Sequence, residues 1–547
     1  MTAWGKLLIP PAPSASDDAH FRALWRPQNG SRSMKPAVLA ALLLLAAAPA
    51  HAEDLPSPPE FSVVPVPPGQ FEKALDRLDA LAGDIMGKTG IPGMAVAVVK
   101  DGVTVYAKGF GVRKNGEPAK VDADTVFQIA SLSKSLSATV VAHEVGTSAV
   151  TWDTPVVKHL PWFALADPWV TQHVTIADLF AHRSGLPDHA GDVLEDLGYD
   201  RKQVLERLRL LPLASFRDTY AYTNFGLTAA AEAVAAADGK DWASLSDEVL
   251  YQPLGMNATS SRFADFTARP DRAVGHVKVG GKYEARYQRQ PDAQSPAGGV
   301  SSNVRDLARW MAMVLGGGQL DGVRIIKEDA LLPAITGQMI ATPSTTAAAR
   351  PSLYGYGFGV GVGASGRVTL SHSGGFALGA GTNFLMIPSL GFGIVVLTNA
   401  APIGAAESLA MSFADLVQYG DVTRDWLAAY APLFAPMVAP EGRLVGAPPP
   451  ANPAPAASLS AYAGTYANAY FGDAEVALKD GRLALKLGPA GVTYPLSHWD
   501  GDTFVFRPSS ENAPPGSIST AKFSRGNPAT LAIEYLDEDG LGTFSKK

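Results

Sequence analysis

A chain of 547 residues is too long for one ordinary core, and with 47% hydrophobic against 18% charged residues it reads as globular rather than disordered. Its 45 Lys plus Arg against 52 Asp plus Glu give a formal charge of −7, which argues against nucleic acid as a partner because phosphate binding needs a basic surface. Cysteine is absent, which excludes disulfide frameworks, cysteine zinc sites, thiol nucleophiles and a lipid-modified cysteine.

In chain order, the first feature is KPAVLAALLLLAAAPAHA at 35–52. Lys35 supplies a basic start, Ala37 to Ala48 an uncharged apolar run, and Ala50-His51-Ala52 a small-x-small cleavage pattern. The run is shorter than the ~20 residues a membrane span needs. The expectation is a signal peptide over 34–52 cleaved after Ala52, translation beginning at Met34, and residues 1–33 an extension outside any domain. The mature chain is then periplasmic or secreted, with no stable membrane anchor.

Leu75, Leu78 and Leu81 recur at helical spacing within 71–88. Two β-rich runs, MAVAVVK and VTVYAKGFGV, meet at Asp101-Gly102, a hairpin signal. The stretch from about 127 to 345 is mostly helix and loop. RVTLSHSG, GTNFLMIP and FGIVVLTN then return to strand character, and a helix is expected at about 402–419. Strands at both ends with helices between them predict one sheet closed by its own termini, with an inserted helical subdomain. We therefore expect a first domain over 62–433, a Pro/Ala linker over 434–458 and a separate all-β module over 459–547.

The chemistry concentrates in three motifs. Ser131-Leu132-Ser133-Lys134 sits where strand-like VFQIA passes into a helix. Residues i and i+3 share a helix face, so Lys134 lies one turn from Ser131 and can take its proton once burial or neighbouring cations lower its pKa. Tyr222-Thr223-Asn224 precedes a helical FGLTAAAEAVAAA; a tyrosine near lysine can act as a phenolate-like base, and an asparagine amide can hold a substrate carbonyl or the lysine. His372-Ser373-Gly374-Gly375 lies on a β-rich segment, where glycine allows close backbone approach and free N–H groups can bind an oxyanion. Singly these signals are weak: Ser519-Thr520-Ala521-Lys522 and Tyr466-Ala467-Asn468 repeat two of them in the β module, and His189-Ala190-Gly191 is a second H-x-G.

Order and flanks make them specific. Through FQIASLSK, VTIADLFAHRSGLP, YTNFGLTAAAEAV, PLGMNATSS, SPAGGVSSNVRDLARWM and LSHSGGFALGAGT, the chain resembles the serine β-lactamase-like hydrolases, especially the class C β-lactamase and D,D-peptidase branch, over roughly 70–420. Its C-terminal module resembles the lipocalin-like domain often appended to them. The resemblance implies an α/β fold, an antiparallel sheet flanked by helices with an inserted helical subdomain, followed by an all-β domain. It implies Ser131 as acylated nucleophile, Lys134 as its proton acceptor, Tyr222 as proton shuttle, Asn224, His372 and Gly374 as substrate-binding residues, and the N–H groups of Ser131 and Gly375 as the oxyanion hole. It implies no metal and no other cofactor, and a small peptide, amide or ester as substrate. His372 stands where many relatives carry a lysine; histidine is largely neutral at pH 7, which predicts poor turnover of common β-lactams.

Other signals are declined. Lys88-Thr89-Gly90 precedes the nucleophile and is assigned to a loop. Gly361 to Gly366 matches G-x-G-x-x-G but runs into a strand, not the helix a dinucleotide site requires. His173, His182 and His189 fit no metal spacing and read as structural or loop residues. Asp178 and Asp306 are assigned to helix starts and solvated faces.

Overall fold

A computed structural model describes residues 62–547. The expected signal peptide over 34–52, its cleavage after Ala52 and the extension over 1–33 lie outside the described residues.

The frame of the first domain is an eight-stranded antiparallel sheet. Its strands are β1 (Gly93–Lys100), β2 (Val103–Gly111), β3 (Met339–Thr342), β4 (Ser352–Tyr354), β5 (Gly359–Val362), β6 (Val368–Phe376), β7 (Ala380–Ile387) and β8 (Phe392–Thr398), in the order β2-β1-β8-β7-β6-β5-β4-β3. Asp101 (φ 50°) and Gly102 (φ 79°) turn the β1–β2 hairpin through two left-handed residues, the conformation that lets a two-residue loop follow the strands' twist. Met94 pairs with Thr398 and Lys100 with Phe392, so strands about 300 residues apart in sequence close the sheet.

The apolar run of β1 is continuous because both faces of the sheet are covered. Met94, Val96 and Val98 pack under α1 (Gln70–Asp76), α2 (Leu78–Thr89) and a helix over 405–419, with Phe71, Leu78 and Phe413. Ala95, Ala97 and Val99 face the inserted helical layer. The single helix expected over 71–88 is divided at Arg77, whose N–H bonds back three residues to Ala74. Lys88 and Thr89 are the last helical residues rather than loop, and Gly90 caps them at φ 72°. The G-x-G-x-x-G segment is the hairpin between β5 and β6.

The inserted layer holds α3 (Leu132–Thr147), α4 (Ile176–Phe180), α5 (Asp192–Asp196), α6 (Asn224–Ala237) and α7 (Val304–Leu315); α8 (Ala405–Tyr419) follows the last sheet strand. Asp178 and Asp306 do sit in helix first turns, but neither faces solvent. Thr175 and Asp178 form a reciprocal capping box at α4, and the Asp178 carboxylate, with no exposed surface, also accepts from Arg183 (2.8 Å) and Arg217 (2.9 Å). Asp306 accepts from Ala258 N (2.8 Å) and Thr259 Oγ1 (2.8 Å) in a buried position. Charge pattern alone cannot separate a solvated carboxylate from one claimed by distant donors.

The C-terminal module is a closed antiparallel barrel of eight strands, from Gly464–Ala467 to Thr543–Lys546, sealed where Tyr466 pairs with Lys546. Its interior is filled by inward side chains such as Leu485, Leu531, Phe523 and Phe544. Among the described residues, no helix is long and apolar enough to cross a membrane.

Candidate active site

The segment Phe127–Gln128 pairs with Ser301–Ser302 and delivers the chain to Ala130, a non-glycine residue at φ 48°. This turn sets Ser131 at the N-cap of α3, where helix amide groups and the positive dipole end converge. Ser133 is committed to structure: its hydroxyl donates to Ala130 O (2.6 Å) and accepts from Val300 N (3.0 Å).

Lys134, one turn on, has no exposed surface. Its Nζ lies 3.1 Å from Ser131 Oγ, 2.6 Å from Asn224 Oδ1 and 2.9 Å from Ala297 O. A neutral amine can donate to the last two and accept the serine proton with its lone pair. Burial lowers its pKa from 10.5 to about 7, opposed by the charge of Asp192. The ammonium form sits 4.5 Å over the Tyr222 ring.

Tyr222 hydrogen-bonds the Ser131 side chain, and burial pushes its phenol well above the ordinary value. In the resting site it is therefore a neutral phenol rather than the phenolate-like base the motif alone allowed, and Lys134 is the group poised to accept a proton near neutrality. Two histidines fix this tyrosine through its backbone. His182 O accepts from Ala221 N (2.9 Å), His182 Nδ1 accepts from Thr223 N (3.2 Å), and His189 N donates to Tyr222 O (2.8 Å).

Behind Asn224 lies a pair that sequence reasoning missed. Asn224 Nδ2 donates to Asp192 Oδ2 (2.7 Å), the same oxygen that meets His189 Nδ1 at 2.8 Å. The amide is thereby oriented, its carbonyl to Lys134 and its NH2 to the carboxylate. Burial alone would depress His189, but the Asp192 hydrogen bond and charge, with Asp188 and Glu538 nearby, raise it to about 9. The only trace in the sequence is the His189-x-x-Asp192 spacing across the start of α5, which becomes informative once both side chains are seen to share one acceptor oxygen.

β5 pairs only with Val368–Ser371 of β6, so among the described residues His372–Phe376 have no strand partner on that side. A Cβ on Gly374 would stand 2.3 Å from Thr382 Oγ1, 2.5 Å from Ile129 O and 3.0 Å from Ser131 N: the bare Cα admits the nucleophile's own backbone. The His372 ring is enclosed. Its Nδ1 bonds Ser373 O (2.7 Å) and its Nε2 meets Tyr354 OH (2.8 Å), so the tautomer carries its proton on Nδ1 and accepts at Nε2. Burial and the Lys134 charge depress its pKa to about 3, which makes it neutral, as expected, but leaves neither ring nitrogen free. Of the residues singled out in the sequence, Ser131, Lys134, Tyr222, Asn224, His372 and Gly374 come together here, and Gly375 is the next residue of the strand. The Ser519 to Lys522 repeat lies on a barrel strand, and His173 stacks on Trp169 (4.1 Å) away from the site.

The model of the beta-lactamase family matches residues 78–417. The chain belongs to that family. It is a serine hydrolase by that membership, and a second model, a domain of unknown function (DUF3471), matches residues 448–541. Unguisins hydrolase ungD of Aspergillus violaceofuscus is 28% identical over 454 residues, spanning 76% of this chain and 80% of its own. The D-alanyl-D-alanine-carboxypeptidase/endopeptidase AmpH of Escherichia coli K12 is 24% identical over 63% of this chain and 89% of its own. The octameric penicillin-binding protein homologue from Pyrococcus abyssi shares the fold at a TM-score of 0.54 and 20% identity, covering 86% of this chain and all of that one.

Proposed function

We propose that this hydrolase is an exported peptidase acting on small or linear peptides, including D-amino-acid-containing or cell-wall-derived ones, through an acyl-enzyme on Ser131. The observation that carries the reading is the buried Lys134 amine, held between Ser131 Oγ, Asn224 Oδ1 and Ala297 O with its pKa brought to about 7. Neutral Lys134 takes the Ser131 proton as Oγ attacks the scissile carbonyl, and the Ser131 and Gly375 amides hold the oxyanion. Tyr222, bonded to Ser131, passes the proton to the leaving group, then orients the water that releases the acyl group. Asn224 positions substrate and Lys134. The edge of β6 beyond Ser371, where pairing with β5 stops, supports a peptide substrate, since an extended chain can add to it as a strand. AmpH, by its name a D-alanyl-D-alanine carboxypeptidase and endopeptidase, points the same way. His372, neutral and already bonded on both nitrogens, gives no cation for a β-lactam carboxylate.

The test is Ser131→Ala against a panel of D-alanyl peptides, linear peptides, p-nitrophenyl esters and penicillins, with mass spectrometry after a serine-reactive phosphonate. We expect peptide turnover by the wild type, one phosphonate adduct on it, and neither in the variant. Undiminished variant activity places the nucleophile elsewhere, and penicillin turnover near the diffusional ceiling refutes the substrate argument.

A further inference from the structure

Among the barrel's contacts with the catalytic domain, one meets the turn that follows the H-x-G strand. Glu511 sits in a tight turn of the barrel, closed by the bridge between Ser510 and Ala513. Its two carboxylate oxygens accept from the main-chain N–H groups of Ala377 (2.7 Å) and Leu378 (3.3 Å). Ala377, Leu378 and Gly379 are the whole turn between β6 and β7, closed on itself by Gly379 N to Phe376 O (2.9 Å). Glu511 thus supplies acceptors for the turn's two other N–H groups. Gly375 lies two residues upstream.

The carboxylate is part of a polar network rather than a lone strut. Arg289 Nε approaches Glu511 Oε2 at 3.9 Å, and the same guanidinium binds Glu195 of α5. Burial pushes the Glu511 carboxyl up to about 7, against the pull of Arg289 and the two amides. Asp196, the next residue of α5, accepts from Asn512 Nδ2 (2.9 Å) and Tyr535 OH (3.1 Å) of the barrel. Asp192, on the same short helix, orients Asn224. A cavity of about 340 Å³, lined among others by Phe127, Arg289, Phe376 and Leu378, lies against the turn that Glu511 holds.

We infer that Glu511 is a positioning residue for the reaction: the barrel holds the β6–β7 turn so that the Gly375 amide stays aimed at the developing oxyanion. The inference rests on the acyl-enzyme reading above, and it gives the barrel a catalytic task beyond covering surface. An oxyanion donor must stand about 2.7–3.1 Å from the developing charge, and a misplacement of about 1 Å can cost ~100-fold in rate. The consequence is specific: loss of Glu511 should slow acylation while leaving ground-state binding nearly intact.

The experiment uses the full chain. Glu511→Ala, Glu511→Gln and Asn512→Ala are compared with wild type for kcat and KM on a p-nitrophenyl ester, and for the second-order rate of Ser131 labelling by a phosphonate, whose P–O⁻ occupies the oxyanion position. We expect Glu511→Ala to lower kcat and the labelling rate together by about 10- to 100-fold, with KM within about threefold. Glu511→Gln, which keeps one good acceptor, should fall between. Asn512→Ala cuts the same interface without touching the turn and should stay within about twofold of wild type. A kcat loss below fivefold in Glu511→Ala, a loss in KM alone, or an equal fall in Asn512→Ala overturns the inference. If circular dichroism finds Glu511→Ala unfolded, Glu511→Gln decides: a threefold or greater loss in both rates supports it, and a smaller one overturns it. Ser131→Ala, run beside them, separates the two failures: activity there sinks the acyl-enzyme reading, whereas an inactive Ser131→Ala with an unimpaired Glu511→Ala sinks the positioning role alone.

Discussion

Lys134 makes a pH titration the most direct probe of the site. Burial displaces its pKa from 10.5 to about 7, corresponding to roughly 5 kcal/mol of difference between its two protonation states. At pH 7 about half the enzyme then holds a neutral amine, against roughly one molecule in 3,000 for an unshifted lysine. The base must be unprotonated, so activity rises with pH through about 7 and levels above it; below 7, kcat/KM should fall about tenfold per unit. Other groups titrate within the range of the assay: Glu407 and Glu511, both raised by burial to about 7, Asp539, raised by burial to about 6, and His189, raised to about 9 by Asp192. The assay is therefore kcat/KM for ester hydrolysis from pH 5 to 10 in wild type and in Glu407→Gln, Glu511→Gln and Asp539→Asn. The limb should keep its midpoint in all three. Lys134→Arg, which keeps a cation but cannot surrender it, should lose at least ~1,000-fold across the whole range. A flat profile down to pH 5, a midpoint near 9 to 10, or a limb that vanishes in one of the carboxamide variants would refute the assignment of Lys134 as the base.

Asp192→Asn should move that limb to lower pH, because the Asp192 charge raises the lysine; through the Asn224 amide the carboxylate lies about 7 Å from Nζ, which at an effective dielectric of ~20 is worth about 2 kcal/mol, less whatever neutralisation of His189 returns. We expect a shift of up to about one pH unit and a plateau about tenfold lower; an unmoved limb would count against the coupling. Asp178→Ala leaves Arg183 and Arg217 without their shared buried carboxylate and removes the α4 cap, so urea unfolding should show a loss of about 3 kcal/mol; a loss under ~1 kcal/mol would mean the arginines find water instead. Gly374→Ala places a methyl group 2.3 to 3.0 Å from Thr382, Ile129 and Ser131 N, and should cost at least ~100-fold in kcat; near-wild-type activity would show that β6 and the nucleophile turn can separate without penalty.

Much of the architecture was legible because it rests on local rules. The Asp101-Gly102 turn, the continuous apolar β1, the Gly361–Gly366 hairpin and the short alternating strands after 459 each carry their period or turn chemistry within a few residues. The Ser131–Lys134 spacing is likewise a property of one helix turn. Closure of the sheet through β1 and β8 was deduced from strands at both ends of the segment, and the Met94–Thr398 register gives that deduction its geometry.

What the sequence by itself determined is a two-part hydrolase with a serine and a lysine one helical turn apart. What only the tertiary structure decided is what those side chains meet. His372 reads as a histidine with a free ring until Tyr354 and Ser373 O are found on its two nitrogens, and Asp178 reads as solvated until two arginines close on it. Nothing local marks an amide 32 residues away as the partner of Asp192. Glu511 lies 134 residues from the amide it holds. A charge, a hydrogen-bond partner or a lowered pKa is fixed by desolvation and by donors brought from elsewhere in the chain, and neither has a period that a sequence can show.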